Sequence, residues 1–362
     1  MLKEVGPDGT TPMATEHVMT VLGPVDPSEI GLTSMHDHIF WDSSTWWMPE
    51  SFEDQELTDK PLTPWNAGLA RWNALGIRDN LVMHASEYDA QLAEVAEFRA
   101  AGGSCLVDPT CDGLDPQPLL LRKMSEELGL HVVATVGLYV HHSHPEWVHQ
   151  ATIDSVADFF TQQLRSGLAG TDVRPGLIGE VGSSNPLVEC EEMVLRAAAR
   201  AGAATGTAVA VHTTAPGRHG LQILDLLNSE GLDSSRIVLC HMDEVLDLEY
   251  HEFLLSRGAV VSFDTFGFDG YFARLWKTPS DDEKMRFLVG LLERGWAKQI
   301  VMGHDVALKC QLRRFGGLGY DHILRRIAPA LSQHYGANVE DVESILVLNP
   351  RRILSRPGAG KD

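Results

Sequence analysis

The sequence predicts a single-domain α/β protein, a (β/α)8 TIM barrel, from three observations. Short runs of β-branched and apolar residues alternate along the chain with longer segments whose apolar residues recur at helical spacing. These runs number eight, which is the strand count of a closed barrel. No run is followed by the Gly-x-Gly-x-x-Gly turn of a dinucleotide-binding fold, and a length of 362 residues suits one large barrel.

The predicted elements follow one another in the order that repeated βα units require. The strands are predicted over residues 33–40, 103–110, 131–140, 176–182, 208–214, 237–243, 259–267 and 300–305. Five of the segments between them have clear helical periodicity, and several end in glycine, as helices often do. They cover residues 85–101, 153–167, 188–204, 219–230 and 281–295.

Composition places the chain among globular proteins that act on small molecules. It shows no linker-like change, so we expect one domain over residues 16–354, with flexible ends at 1–15 and 355–362. A formal charge of -21 argues against nucleic acid or an anionic membrane as a partner, because phosphate binding needs clustered Lys and Arg. The chain shows no signal-peptide pattern and no long apolar run, so we expect a cytoplasmic protein. Five cysteines without Cys-x-x-Cys spacing are expected to be reduced.

Side chains that commonly bind metals recur at the ends of the predicted strands. His36 and His38 stand two residues apart in the first run, so they would share one face if that segment is a strand. Later strand ends contribute one residue each, namely Glu180, His212, His241 and Asp305. Burying an ionisable group costs free energy unless the group is paired or binds a metal. Hydrogen-bonded core residues would explain any one of these side chains, but a shared metal site explains the ordered set.

The order His-x-His, Glu, His, His, Asp resembles the phosphotriesterase-like family of the amidohydrolase superfamily. The resemblance runs from about Gly23 to Pro350, nearly the whole chain. The matching stretches are Gly-Pro-Val at 23–25, Gly-Leu-Tyr-Val at 137–140, Ser-Phe-Asp-Thr-Phe-Gly at 262–267 and Gly-His-Asp-Val at 303–306. Residues 314–323 are similar to the phosphotriesterase-related subgroup.

This resemblance implies two divalent metal ions per chain, usually Zn²⁺, with Mn²⁺ or Co²⁺ as alternatives. His36, His38 and Asp305 would hold one ion, and His212 with His241 the other. Glu180 and a hydroxide would bridge the two ions. Many relatives have a carbamylated lysine in place of Glu180, so metal binding here should not require carbon dioxide.

The chemistry implied by such a centre is hydrolysis. Two metal ions lower the pKa of a shared water, so that hydroxide attacks a carbonyl or phosphoryl group, and Asp305 would pass a proton to the leaving group. We expect the bond to be a carboxylic ester, lactone or amide of a small molecule. Tyr139, Thr265 and Lys309 are the candidate substrate-binding residues, Lys309 as a cation for an anionic substrate tail.

Thr265 separates this chain from two specialised activities of the family. Lactonase relatives tend to have Arg at that position and organophosphate hydrolases His, which favours an open ester or amide. Lactone or organophosphate triester hydrolysis remains the alternative, followed by a non-catalytic metal- or ligand-binding barrel and by a metal-dependent lyase or isomerase. Trp41, Trp46 and Trp47 after the first strand either wall a pocket or only pack. A homodimer is an expectation from the family.

Overall fold

Eight parallel strands of the described chain form a sheet that closes on itself. The computed structural model describes residues 16–49, 52–273 and 276–357. Each strand pairs in parallel with the strands that come before and after it in the barrel. Across the seam, the backbone N–H of Met35 donates to the carbonyl of Met302 at 2.9 Å, so the last strand meets the first. The predicted (β/α)8 barrel is confirmed.

The barrel strands, labelled β1 to β8, occupy the predicted places, and all except β4 are shorter than the predicted runs. They are β1 (Thr33–Ser34), β2 (Cys105–Asp108), β3 (His131–Val136), β4 (Leu177–Ser183), β5 (Val209–Thr213), β6 (Ile237–Leu239), β7 (Val260–Phe263) and β8 (Ile300–Met302). Alternate residues pack in different layers. On β2, Cys105 and Val107 join the cluster inside the barrel, while Leu106 joins the cluster shared with the helices.

Helices follow the strands and cover the outside of the barrel. They are α1 (Tyr88–Ala100), α2 (Pro118–Leu128), α3 (Ile153–Ser166), α4 (Glu189–Thr205), α5 (Gly220–Ser229), α6 (Leu248–Ser256), α7 (Asp281–Leu292) and α8 (Ala328–Gln333). The five predicted helices are confirmed. Local chemistry sets their ends: Ser280 and Glu283 form a capping box at the start of α7, and Gly206 ends α4 in the left-handed conformation.

The first predicted strand was wrong in one respect that concerns the site. Strand β1 ends at Ser34, so His36 and His38 follow it and do not lie on a regular strand. Backbone pairing nevertheless continues, because the N–H of Asp37 donates to the carbonyl of Val107 at 3.0 Å. The two histidines therefore still converge, with ring centroids 5.6 Å apart.

Shorter elements surround the barrel. Helices Phe52–Leu57 and Ala67–Trp72 belong to the insertion between β1 and α1, and helices Val339–Glu343 and Asn349–Leu354 follow α8. Short antiparallel strands pair as Trp41–Asp42 with Val82–Met83, as Tyr271–Phe272 with Trp276–Lys277, and as His17–Thr20 with both Gly23–Val25 and Ser355–Arg356. Of the predicted flexible ends, 1–15 and 358–362 lie outside the described residues, whereas 355–356 form a strand. In the part of the chain that is described, no helix is long and apolar enough to cross a membrane.

Candidate metal centre

The structure brings the six predicted metal ligands together at the carboxyl ends of the strands, around one buried carboxylate. Glu180, on β4, is only 1% exposed. Its Oε1 atom lies 2.9 Å from His241 Nε2, 3.3 Å from His212 Nδ1 and 3.7 Å from His36 Nε2. A single carboxylate oxygen thus faces three imidazoles from three different segments of the chain.

Asp305 closes the other side of the cluster. Its Oδ1 atom lies 3.6 Å from Nε2 of both His36 and His38. The chain turns sharply after β8, with Asp305 in the left-handed region at φ 46°. Gly303 allows the close approach before this turn, because a Cβ there would lie 2.8 Å from the carbonyl oxygen of His36. The local backbone thus brings the Asp305 carboxylate over the two histidines.

The donor atoms suit divalent metal ions. Nε2 of His36 is buried and has no hydrogen-bond partner among the described residues, which costs about 1–3 kcal/mol for an unsatisfied buried polar atom. A metal ion at this nitrogen removes that cost. Imidazole nitrogens with carboxylate oxygens are donors that zinc and its neighbours in the first transition row accept. Three sets of such atoms lie within 4.8 Å of one another: His36, His38 and Glu180; His36, His241 and Asp305; and Glu180, His212 and His241.

Asp264, just beyond the end of β7, orients two of the histidines, and the sequence did not predict this role. Its Oδ2 lies 3.1 Å from His36 Nδ1, and its Oδ1 lies 3.0 Å from His241 Nδ1. The same Oδ1 accepts the backbone N–H of His241 at 2.8 Å. A carboxylate only accepts hydrogen bonds, so both Nδ1 atoms carry their protons and both Nε2 atoms are free to bind a metal. The signal was an acidic residue at the end of an apolar strand, as for the ligands.

Charges within the cluster shift the ionisation of its members. Burial disfavours protonation of His36, but Glu180 and Asp264 outweigh it and raise the pKa of His36 to about 9. Burial raises the pKa of Glu180, yet the neighbouring histidines hold it well below its usual value. Burial also raises the pKa of Asp305, to about 6. Anionic Glu180 beside imidazoles is the charge pattern that attracts a divalent cation.

The family follows from comparison with known proteins. The model of the Phosphotriesterase family matches residues 16–354. The chain belongs to the phosphotriesterase family. Metal dependence is a property of this family, and the buried His, Asp and Glu groups supply the donors that it needs.

Relatives of this chain in the phosphotriesterase family are named hydrolases. N-acetyltaurine hydrolase from Xenopus tropicalis is 31% identical over 346 residues, covering 93% of this chain and 97% of the relative. The human N-acetyltaurine hydrolase is also 31% identical, with the same coverage of both chains. Among solved structures, a resiniferatoxin-binding protein from Rhodobacter sphaeroides is similar with a TM-score of 0.91 and 37% identity, covering 95% of this chain and 97% of that one.

A second solved structure connects the fold to an occupied active site. The phosphotriesterase homology protein from Escherichia coli, complexed with phosphate in its active site, has a TM-score of 0.76 and 25% identity, covering 90% of this chain and 99% of that one. These relatives and the buried cluster agree on the class of reaction. The chain is a metal-dependent hydrolase.

A cavity of about 720 Å³, including its mouth, opens onto the candidate metal ligands of this phosphotriesterase-family barrel. His212, His241 and Asp305 form its floor. Its walls are mainly apolar and aromatic, and come from the insertion after β1, the loop after β3, the hairpin after β7 and the loop after β8. They include Trp41, Trp46, Leu75, Leu81, Tyr139, Phe268, Phe272, Trp276 and Leu308. Trp41 and Trp46 thus wall the pocket, while Trp47 packs against Arg78.

Two of the predicted substrate-binding residues, Tyr139 and Thr265, line this cavity. The Tyr139 hydroxyl lies 3.2 Å from His212 Nδ1, and burial raises the pKa of that phenol well above its usual value. Thr265 uses its hydroxyl to donate to Asp243 Oδ2 at 3.0 Å. Tyr139 therefore offers a neutral O–H group at the floor, whereas the Thr265 hydroxyl is already engaged.

Lys309, the third predicted substrate-binding residue, does not line the cavity. Its ammonium lies 2.7 Å from Asp79 Oδ1 and 2.6 Å from Glu87 Oε1, and the side chain is 5% exposed. Both partners come from the insertion between β1 and α1. This geometry gives Lys309 a structural role, in which it ties that insertion to the loop after β8, and offers no support for an anion-binding role.

Proposed function

We propose that this chain is a binuclear zinc enzyme that hydrolyses the amide bond of a small N-acyl compound. The observation that carries the proposal is the buried cluster in which Glu180 faces three imidazoles and opens, through His212 and Asp305, into an apolar cavity. The choice of an amide is supported by N-acetyltaurine hydrolases that are about 31% identical over nearly their whole length.

The donors divide into two groups that share Glu180. His36, His38 and Asp305 would hold one zinc ion, and His212 with His241 the other. When bound, the two ions lower the pKa of a water molecule and polarise the acyl carbonyl. The absence of a carbamylated lysine from this arrangement means that Glu180 supplies the shared negative charge by itself.

The side chains around this centre position the substrate and move protons. Asp305 lies 3.6 Å from each of the two histidines that follow β1, and its pKa, raised to about 6 by burial, suits a group that accepts a proton and returns it near neutral pH. The proton is delivered to the leaving nitrogen, which departs as a neutral amine. Tyr139 keeps its proton and can donate a hydrogen bond to the acyl oxygen. The aromatic walls keep bulk water from the scissile bond.

Hydrolysis in oxygen-18 water tests this proposal. The zinc-loaded protein is incubated with a panel of N-acetyl amines, carboxylic esters and lactones, and the products are analysed by mass spectrometry. We expect one oxygen-18 atom in the acid released from an N-acetyl amine. Turnover of esters or lactones without any amide would contradict the choice of bond.

A ligand-binding barrel without turnover is the second candidate, and one comparison favours it. The resiniferatoxin-binding protein that is 37% identical is described by what it binds. Two zinc ions with no turnover of any member of the panel would support this candidate. Zinc-dependent label incorporation excludes it.

A further inference from the structure

One wall of the cavity combines a carboxylate with three aromatic rings. Glu244, three residues beyond His241, lines the cavity together with Phe268, Phe272 and Trp276. The rings of Phe272 and Trp276 stack with centroids 5.0 Å apart, and Phe268 contacts Phe272 at 5.4 Å. Indole Nε1 of Trp276 donates to Glu244 Oε2 at 3.1 Å, which fixes the carboxylate against the aromatic wall.

Glu244 differs from the other acids near the floor of the cavity because no cation of the described chain lies within ion-pair distance of its carboxylate, and His241 and Lys284 act on it only from farther away. Glu180, Asp264 and Asp305 lie beside histidines, and Asp243 has the Lys284 ammonium at 4.0 Å. Glu244 forms no ion pair with a described residue, and its only side-chain hydrogen bond comes from Trp276.

The described lining of the cavity also contains no lysine or arginine. Three lysines that contact lining residues or adjoin them in sequence are engaged elsewhere, and one of them, Lys277, donates to the carbonyl of Thr278. Lys284 donates to the carbonyl oxygens of Thr265 and Phe268, and Lys309 pairs with acids of the insertion. The Glu244 wall therefore carries a negative charge with no lysine or arginine beside it in the described lining, which favours a positive substrate group at this wall, apart from the proposed zinc ions at the floor.

We infer that Glu244 and the aromatic wall of Phe268, Phe272 and Trp276 bind a protonated amine of the substrate. An ammonium gains a charge-assisted hydrogen bond from the carboxylate and cation–π attraction from the rings. The inference rests on the proposed function and narrows its substrate class to N-acyl amines whose amine portion carries a second, protonated nitrogen. It also predicts that the substrate of this chain differs in charge from N-acetyltaurine, for which the relatives are named, because taurine carries an anionic sulfonate.

Three acetamides of matched shape test the inference. N-(2-aminoethyl)acetamide, N-propylacetamide and N-acetyltaurine present an ammonium, a methyl group and a sulfonate at the same place. With the zinc-loaded full-length chain, we expect kcat/KM for the ammonium compound to exceed that for the methyl compound by about 10-fold or more, as a hydrogen bond to a charged group gives. The sulfonate should be the poorest of the three. An equal or reversed order overturns the inference while leaving the proposed amide hydrolysis intact.

Glu244→Gln assigns the preference to one residue, because glutamine keeps an oxygen for the Trp276 indole and removes only the charge. Its kcat/KM should fall by about 10-fold or more with the ammonium compound and by less with the methyl compound, so that the preference for the cation is lost. Glu249→Gln is the matched control, since Glu249 is an exposed acid at the start of α6. Arg274→Ala is measured in parallel as a control for positive charge, because Arg274 is a cation that lies outside the described residues. The assignment is overturned if Glu244→Gln still prefers the ammonium compound. It is also overturned if the wild type prefers the sulfonate compound and Arg274→Ala removes that preference.

A binding measurement that needs no turnover tests the Glu244 subsite separately from the proposed amide hydrolysis. Calorimetry with the Asp305→Asn variant compares the ammonium and methyl compounds directly. Tighter binding of the ammonium compound, lost when Glu244→Gln is added, supports the subsite even if no amide is hydrolysed. Equal binding of the two compounds overturns it.

Discussion

The Asp264→Asn substitution changes one oxygen of a carboxylate that holds two histidines in place. Oδ1 of Asp264 accepts the backbone and ring N–H groups of His241, and Oδ2 accepts Nδ1–H of His36. Asparagine has one acceptor oxygen, which stays with the two donors of His241. Its NH₂ group then faces Nδ1–H of His36, so two donors oppose each other and that ring must move or change tautomer.

The expected cost follows from this geometry. A His36 ring that carries its proton on Nε2 cannot bind a metal, and loss of such an orienting partner typically weakens metal affinity by about 10–100-fold. That range equals about 1.4–2.8 kcal/mol of binding free energy. Because His241 keeps its partner, the ion held by His36 should be lost first. Titration with a competing chelator, followed by elemental mass spectrometry, measures the loss of each ion.

A matched control distinguishes metal binding from general destabilisation. Asp321 is a fully buried carboxylate whose ion pairs are with Arg313 and Arg325 and not with a histidine. Asp321→Asn should lower the free energy of unfolding and leave the metal affinity of the folded protein unchanged. Wild-type affinity for both ions in Asp264→Asn would refute the orienting role of Asp264.

Four further changes test other parts of the account. Glu180→Gln removes the shared negative charge, so the purified protein should retain less metal and have no turnover, as elemental analysis and product assays measure. Asp305→Asn removes the proton carrier and should lower kcat by about 10²–10⁴-fold even where metal remains, measured on fully loaded protein. Lys309→Met leaves Asp79 without its cation and Glu87 with Arg314 alone, and should cost about 1–3 kcal/mol in urea unfolding with little change in KM, since the partly exposed acids are screened by water. Chelation of the zinc should lower the thermal unfolding midpoint, and added zinc should restore it, because the ions bind the folded state.

Each of these predictions has a clear contrary result. If Glu180→Gln keeps the metal content and the rate of the wild type, Glu180 does not bridge the two ions. A near-native rate in Asp305→Asn would exclude it as the proton carrier. An increase in KM without loss of stability in Lys309→Met would return that residue to substrate binding. Identical melting of loaded and chelated protein would contradict metal binding by the folded state.

The strand-end ligands were predictable because charged or titratable residues interrupt runs that are otherwise apolar. His212 and Glu180 show this pattern on the strands themselves, and a closed barrel brings strand ends together whatever the loops do. Asp264 gave the same signal, but the sequence does not tell a ligand from the residue that orients a ligand. Only the distances to His36 and His241 make that distinction.

The substrate pocket was less predictable because it depends on loops. Lys309 stands four residues after Asp305 in sequence, yet its ammonium pairs with acids more than 200 residues away. Glu244 lies beyond β6 in a 3-10 turn, and its neighbour Trp276 comes from a hairpin after β7. Periodicity reports which face of an element is buried, whereas these contacts arise from the paths of irregular segments.

Metal stoichiometry tests the central claim most directly. Elemental mass spectrometry is made on protein purified without added metal or affinity-tag nickel, and repeated on the His36→Ala, His38→Ala double variant. The account predicts close to two zinc ions per chain in the wild type and loss of metal in the variant. A wild-type protein that holds no metal even after reconstitution, or a variant that keeps both ions, would contradict it.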